Sequence, residues 1–268
     1  MAVITISRGS FSGGKRLAEC AAGKLGYRCI DRDVIVRKAA AYGVSEEEVR
    51  NALEKPPTFW DRFKHTKYVY LALIQAALTE EVSPGKAIYH GHAGHLLLHG
   101  VGHVMRTRII APMAIRVKAV QERLNVGEDA AMSYIQRMDQ DRLRWAQYLY
   151  GVDWGNPAFY DLVLNLEHLD VCQACEIIAA MARLESFRET DESRAAMQDL
   201  TLASRVRANL ALAPETKGLE VDVTARAGAI TVSGEPVGRD RLPDIEAVVR
   251  RVPGVSDLSI EVPAEVQA

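Results

Sequence analysis

The run Gly9-Ser10-Phe11-Ser12-Gly13-Gly14-Lys15-Arg16 is the stretch whose residue types and spacing most directly specify chemistry. It satisfies the pattern GxxxxGK, between a strand-like apolar segment, Val3 to Ser7, and a helical pattern from about Lys15 to Leu25. Glycines let the backbone wrap an anion closely, inward amides form a nest, and the helix start adds partial positive charge. A lysine at this place neutralises the oxygens of a transferring phosphoryl group. Gly9, Ser10, Ser12, Gly13, Gly14, Lys15 and Arg16 are therefore the candidate polyphosphate-binding residues, and Lys15 is also a candidate catalytic residue. Arg16 stands where a Ser or Thr hydroxyl usually meets magnesium. Ser10 and Ser12 are the hydroxyls left in the loop, and phosphates with water are the other way to hold that ion. The plain alternative is a Gly-rich turn with a solvated lysine.

Other groupings carry weaker chemistry. Arg137, Asp141 and Arg144 stand at i, i+4 and i+7 of a helical pattern running from about Glu128 to Tyr148, so they share a face. Such a face either closes on phosphates or is a solvated, salt-bridged surface. Asp31 ends a short strand-like segment, and Arg37, six residues on, is a guanidinium fork suited to a phosphate or a surface arginine. Five of the seven histidines lie between His90 and His103. His95, His99 and His103 would share a helical face, but Gly100 and Gly102 interrupt a helix there and no acidic or thiol ligand joins them, so no metal site is assigned. Cys172 and Cys175, like Cys20 and Cys29, read as small buried apolar residues. The aromatic set Trp145, Tyr148, Tyr150, Trp154 and Tyr160 reads first as core packing.

The elements that must position these residues alternate between strand and helix. Strand-like segments at 28–30, 87–89, 107–110 and 162–164 alternate with helical patterns at 34–42, 45–53, 67–79, 113–124, 128–148 and 170–186. That order implies a parallel sheet with helices on both faces. The chain has 268 residues, 48% hydrophobic and 25% charged, with net charge -2. Charge so close to balance gives no footprint for nucleic acid or a basic membrane-surface protein. No apolar run approaches a membrane span, and the opening residues read as a strand rather than a signal peptide, so the expected location is the cytoplasm.

Several blocks in a fixed order give the first part of the chain a resemblance. They are Ile4-Thr-Ile-Ser-Arg8, Ser12-Gly-Gly14, Leu25-Gly26-Tyr27 and Ile30-Asp31-Arg32-Asp33, then Gln136-Arg-Met-Asp139-Gln-Asp141-Arg142-Leu-Arg144. Asp153-Trp-Gly-Asn-Pro157 and Tyr160-Asp-Leu-Val-Leu-Asn165 follow. Together they resemble the cytidylate kinase-like family of P-loop nucleoside monophosphate kinases over roughly residues 2 to 186. The resemblance implies a P-loop NTPase fold of three α/β/α layers, ATP with Mg2+, and a nucleoside monophosphate acceptor of the CMP or dCMP kind. It makes the stretch around Arg137, Arg142 and Arg144 a lid whose arginines close on ATP phosphates. It places Asp31, Arg37, Asp141 and the pair Gly91-His92 on the substrate side. This kind of kinase carries Gly-Arg after the third strand, and here His92 replaces the arginine. A neutral imidazole offers one donor where guanidinium offers a charged fork, so a weaker, pH-dependent hold on the acceptor is expected.

From about residue 187 the composition changes. Residues 187–198 are polar and charge-mixed and read as a linker. Beyond them come a helical pattern at 200–212, alternating strand patterns near 219–223 and 229–233, a helix near 242–251 and a last strand near 255–262. Ala203-Ser-Arg-Val-Arg-Ala-Asn-Leu, Val221-Asp-Val223, Gly228-Ala-Ile-Thr-Val-Ser-Gly234, Val252-Pro-Gly-Val255 and Leu258-Ser-Ile-Glu-Val262 resemble a BON domain. That resemblance implies a small α+β module of αββαβ order over 199–268, with a small ligand or a lipid as its partner. The expected molecule is thus a kinase domain at 1–186 followed by a BON-like module. Two other readings stay open: a nucleotide sensor without turnover, motivated by Arg16 and His92, and a kinase with a non-nucleotide acceptor.

Overall fold

A computed structural model describes residues 2–54, 67–91, 93–234 and 238–261. Their contacts divide the chain into two compact units.

The first unit is built on five parallel strands in the order β2-β3-β1-β4-β5: β1 (Val3–Arg8), β2 (Arg28–Asp31), β3 (Ala87–His90), β4 (Val104–Ile110) and β5 (Leu162–Asn165). This is a P-loop kinase-like α/β arrangement. β1 is central, pairing with β3 on one side and β4 on the other, and its run Val-Ile-Thr-Ile is apolar or β-branched throughout because both faces are covered. Ile4 and Ile6 point to one face, where α1 (Gly14–Leu25) and α8 (Val171–Met181) lie. Leu17, Ala18 and Ala21 of α1 meet Ala174, Cys175 and Ile178 of α8 in that layer, where small side chains allow close approach. α8 starts at a capping box, with Asp170 and Gln173 exchanging bonds with each other's backbone amides at 2.8 and 3.0 Å. On the opposite face, Ser7 of β1 bonds His95 in the short helix α5 (Gly94–Leu97). Gly94 is required there, because a Cβ would come within 2.6 Å of the Tyr89 ring. Helices α6 (Met113–Leu124) and α7 (Glu128–Tyr150) form a hairpin with its own small core of Val117, Val120, Ala131 and Ile135.

The second unit joins two distant parts of the sequence. Between β2 and β3 the chain forms α2 (Arg32–Ala40), whose last turns belong to this unit, then α3 (Glu46–Glu54) and α4 (Lys67–Val82). The later part runs α9 (Asp191–Leu212), β6 (Val221–Arg226), β7 (Ala229–Gly234), α10 (Leu242–Arg250) and β8 (Asp257–Glu261). β6 and β7 form a hairpin across Ala227 and Gly228, both at positive φ, and β8 adds parallel to β7. Ala203, Val206 and Leu210 of α9 and Ile245, Val248 and Val249 of α10 cover one face of this sheet. A second stripe on α9 (Ser193, Met197, Thr201, Ser204, Ala208 and Ala211) is also buried, and α4 packs along α9. The buried residues of α4 run around much of the helix and form no single stripe, as suits a helix largely enclosed by protein.

Several expectations change. Residues from Asp191 onward are the first turns of α9 and not a linker. The polar composition there is a half-exposed helix, whose buried positions Ser193 and Met197 are too sparse to read as a stripe. His95, His99 and His103 share no helical face, since α5 ends at Leu97. Cys29 and Cys172 are exposed, while Cys175 is buried. Among the described residues no helix is long and apolar enough to cross a membrane.

Candidate functional site

β1, β2 and β3 end at Arg8, Asp31 and His90, and a cleft of about 520 Å3 opens beyond these carboxyl ends. Ligands of open parallel sheets bind at this edge, because loops diverge there and helix starts point into the crevice. Five cations (Arg8, Lys15, Arg32, Arg123 and Arg142) line the cleft, with three carboxylates, Asp31, Asp33 and Asp141. Met138, Trp145 and Trp154 supply an apolar wall.

Backbone strain and packing shape the loop from Gly9 to Gly14. Gly13 is left-handed at φ 81 and caps α1 with no side-chain bond, which leaves the first-turn amides of the helix for another acceptor. A Cβ at Gly14 would come within 2.7 Å of the Arg8 side chain, so glycine there lets Arg8 run past the helix start into the cleft. Ser12 Oγ donates to the Gly9 carbonyl at 3.0 Å and lies 3.4 Å from that of Ile109, so its hydroxyl serves the loop itself. Ser10 Oγ is buried and has no hydrogen-bond partner among the described residues. Lys15 is exposed and reaches the cleft wall, 3.8 Å from Glu19. Arg16 is also exposed and does not line the cleft.

The cations crowd one another. Burial, and the charges of Arg32 and Arg123 beside it, push the Arg8 guanidinium below the ordinary arginine range. Burial and Arg8 bring Arg142 down to about 10, and its Nη1 donates to the Arg8 carbonyl at 3.2 Å. His90 is buried, held in its neutral form by burial and by Arg8, and its Nδ1 has no partner among the described residues. Positive charges crowded in this way set up a local field that an anion relieves. Asp31, the register neighbour of His90, accepts from the Val34 amide at 3.0 Å, so it caps α2 while lining the cleft.

The structure brings some sequence candidates together and leaves others apart. Lys15, Asp31, Gly91, Asp141 and Arg142 line one cleft. Arg137 and Arg144 are exposed and do not line it; the Arg137 guanidinium lies 5.8 Å from the Tyr134 ring. The i, i+4, i+7 face therefore splits, because α7 turns Asp141 and Arg142 inward and the other two outward. Arg37 is exposed on α2. His92 lies outside the described residues. Gly91 is dictated by sterics, since a Cβ would collide with the Tyr89 ring and hydroxyl. Sequence reasoning missed Arg8, Arg32, Asp33, His90 and Arg123 as cleft residues. Arg8 and His90 end the two strands flanking the loop, which was a usable signal; nothing in the spacing marks Arg123.

A polyphosphate fits these residues on the structure's own terms: a helix start with no side-chain cap, a glycine whose Cβ would displace Arg8, and five cations on one cleft. No group of three or more metal-ligating side chains gathers among the described residues.

Comparison with known proteins agrees with this geometry. The family model described as "Cytidylate kinase-like family" matches residues 3–168. A cytidylate kinase from Ignicoccus hospitalis is 26% identical over 168 residues, covering 62% of this chain and 90% of that protein. One from Staphylothermus marinus is 31% identical over 100 residues, 37% of this chain, and the chain spans about half (55%) of that relative's length. An uncharacterised protein from Eubacterium ventriosum, known by crystal structure, shares the fold with a TM-score of 0.54 and 18% identity, over 68% of this chain and 97% of that one. Strand order, phosphate loop and the match through most of the first unit lead to one conclusion: this chain belongs to the cytidylate kinase-like family.

Proposed function

We propose that the protein transfers a phosphoryl group from ATP to a nucleoside monophosphate of the CMP or dCMP kind. The observation that carries this reading is the convergence of Arg8, Lys15, Arg32, Arg123 and Arg142 on one cleft beside a glycine-rich helix start. The family implies ATP use, typically with magnesium. ATP supplies the phosphoryl group; Mg2+ would be held by phosphate oxygens and water, since Arg16 offers no hydroxyl and Ser12 is bonded within the loop.

Phosphoryl transfer asks for positioning and charge far more than for covalent help from the protein. The amides of Gly13 and Gly14 and the start of α1 bind and orient the polyphosphate. Lys15, Arg8 and Arg142 neutralise the oxygens that gain charge at the transferring phosphorus, and the burial of Arg8 and Arg142 makes their part more effective than it would be in water. Asp31 and Arg32, which also line the cleft, orient the acceptor. Trp145 and Trp154 give a base a flat apolar surface. No general base is required, because an acceptor phosphate is already a nucleophile near neutral pH. The exposed Arg16 favours a second reading, a nucleotide sensor that binds without turnover. A non-nucleotide acceptor would keep the loop and change only the far wall. The αββαβ segment is read as a BON-like module for a small ligand, a lipid or association, offered by the sheet face bearing Asp222, Thr224, Ser259 and Glu261.

Incubation with ATP and Mg2+ against CMP, dCMP, UMP, AMP and metabolite acceptors tests these readings, with Trp145 and Trp154 fluorescence reporting binding. Transfer to CMP or dCMP is expected. Lys15→Ala should lower kcat by about a hundredfold or more while leaving the fold intact. ATP binding without transfer to any acceptor would support the sensor, and absence of ATP binding would overturn the kinase reading.

A further inference from the structure

The apex of the phosphate loop is gripped from outside the loop. Arg116, in the first turns of α6, donates from Nε to the Ser10 carbonyl at 2.7 Å and from Nη2 to Asp139 Oδ2 at 2.6 Å. Asp139, on α7, accepts from the Ser10 amide through its other oxygen at 3.4 Å. Both backbone polar groups of Ser10 are thus engaged by one ion pair, whose arginine side chain is only 11% exposed. The next residue, Phe11, has φ 60, a left-handed conformation that L side chains rarely adopt. Its ring packs on the α6–α7 core, edge-on to Tyr134 at 5.8 Å and under the Arg123 guanidinium at 5.8 Å. The strained backbone persists because the hairpin core holds the ring.

We propose that Arg116, Asp139 and Phe11 form a latch through which the α6–α7 hairpin fixes the phosphate loop in its anion-binding shape. The inference rests on the kinase reading above and names positioning residues for it. A nest binds anions with amides turned inward, and a carbonyl turned the same way would repel them. Arg116 holds the Ser10 carbonyl on its own guanidinium, away from a polyphosphate, and Asp139 takes the Ser10 amide, so the latch fixes the apex while the cradle is left to the amides nearer the start of α1. The rigid fork addresses the carbonyl and the carboxylate in two directions at once, which the point charge of lysine does not do. α7 also carries Asp141 and Arg142 into the cleft, so one hairpin sets both the cradle and the cations beside it.

The test compares wild type with Arg116→Lys, Asp139→Asn and Phe11→Ala. Dissociation constants for ATP and inorganic tripolyphosphate are read from tryptophan fluorescence, and amide exchange at residues 9–14 is measured without ligand. Arg116→Lys is expected to weaken both ligands between about tenfold and a hundredfold. It should also speed exchange of the loop amides while the midpoint of thermal unfolding stays near wild type. The double variant Arg116→Lys/Asp139→Asn should lose less than the product of the single losses, because the pair acts as one unit. Should Phe11→Ala fail to fold, Arg116→Lys still decides. If wild type binds both ligands and Arg116→Lys binds them equally with unchanged exchange, the latch falls and the kinase reading stands. If wild type binds neither ligand, the kinase reading falls and the latch with it.

Discussion

His95 shows how a residue chosen for one kind of chemistry is kept for another. Its ring stacks 4.6 Å from Tyr160, its Nδ1 pairs with Ser7 Oγ at 2.9 Å, and its Nε2 has no partner among the described residues. Burial first, then the nearby charges of Arg108 and Arg106, lowers its pKa to about 4. The folded value is depressed below the ordinary 6.5, so the unfolded chain takes up the proton more readily. The stabilisation is complete above about pH 6.5 and is lost as pH falls from there through about 4, up to roughly 3 kcal/mol. Urea unfolding between pH 7 and 4 should show that loss, and His95→Gln should flatten it; an equal slope in both proteins would refute the assignment. The histidine run at 90–103 thus yields a core residue at His95 and a cleft residue at His90.

At the scale of elements, Asp31 performs two tasks. It caps α2 through the Val34 amide, and its carboxylate lines the cleft. The tasks separate chemically, because asparagine keeps an accepting oxygen and loses the charge. Asp31→Ala is expected to destabilise by about 1 kcal/mol, whereas Asp31→Asn should stay within about 0.5 kcal/mol of wild type. Both should reduce transfer to the acceptor, and if Asp31→Asn left turnover unchanged the carboxylate would have no part in the reaction. The parallel strands were legible as short apolar runs, the later strands by their alternation, and the long helices by length without Gly or Pro. The short helix α5 was not, since four residues carry no period and its position is set by the fit of Gly94 against Tyr89.

For the whole molecule, the second unit changes what the later part of the chain is for. α4 comes from the segment between β2 and β3, yet its partner is α9, more than a hundred residues on. Arg205 lies 3.3 Å from Glu80, Arg207 bonds Gln75 at 3.2 Å, and the Tyr68 hydroxyl donates to the Val221 carbonyl at 2.7 Å. A chain ending at Thr190 would remove α9 from α4 and leave Tyr68, Gln75 and Glu80 without these partners. Such a truncation should lose cooperative unfolding and bind a hydrophobic dye, as measured by calorimetry and ANS fluorescence. A soluble 1–190 fragment with wild-type α4 protection from amide exchange would contradict this.

The sequence alone determined the glycine-rich turn before α1, the alternation of strands and helices, and most element boundaries, because these depend on local spacing, glycine and hydrophobic period. Tertiary structure alone decided which arginines meet. Arg8, Arg123 and Arg142 come from three separate elements, while Arg137 and Arg144, a few residues from Arg142, turn outward. It also decided that residues after Asp191 join α4 in one core rather than forming a separate tail. The physical reason is the same in both cases. Which side of a helix is buried depends on what packs against it, and those partners are distant in sequence.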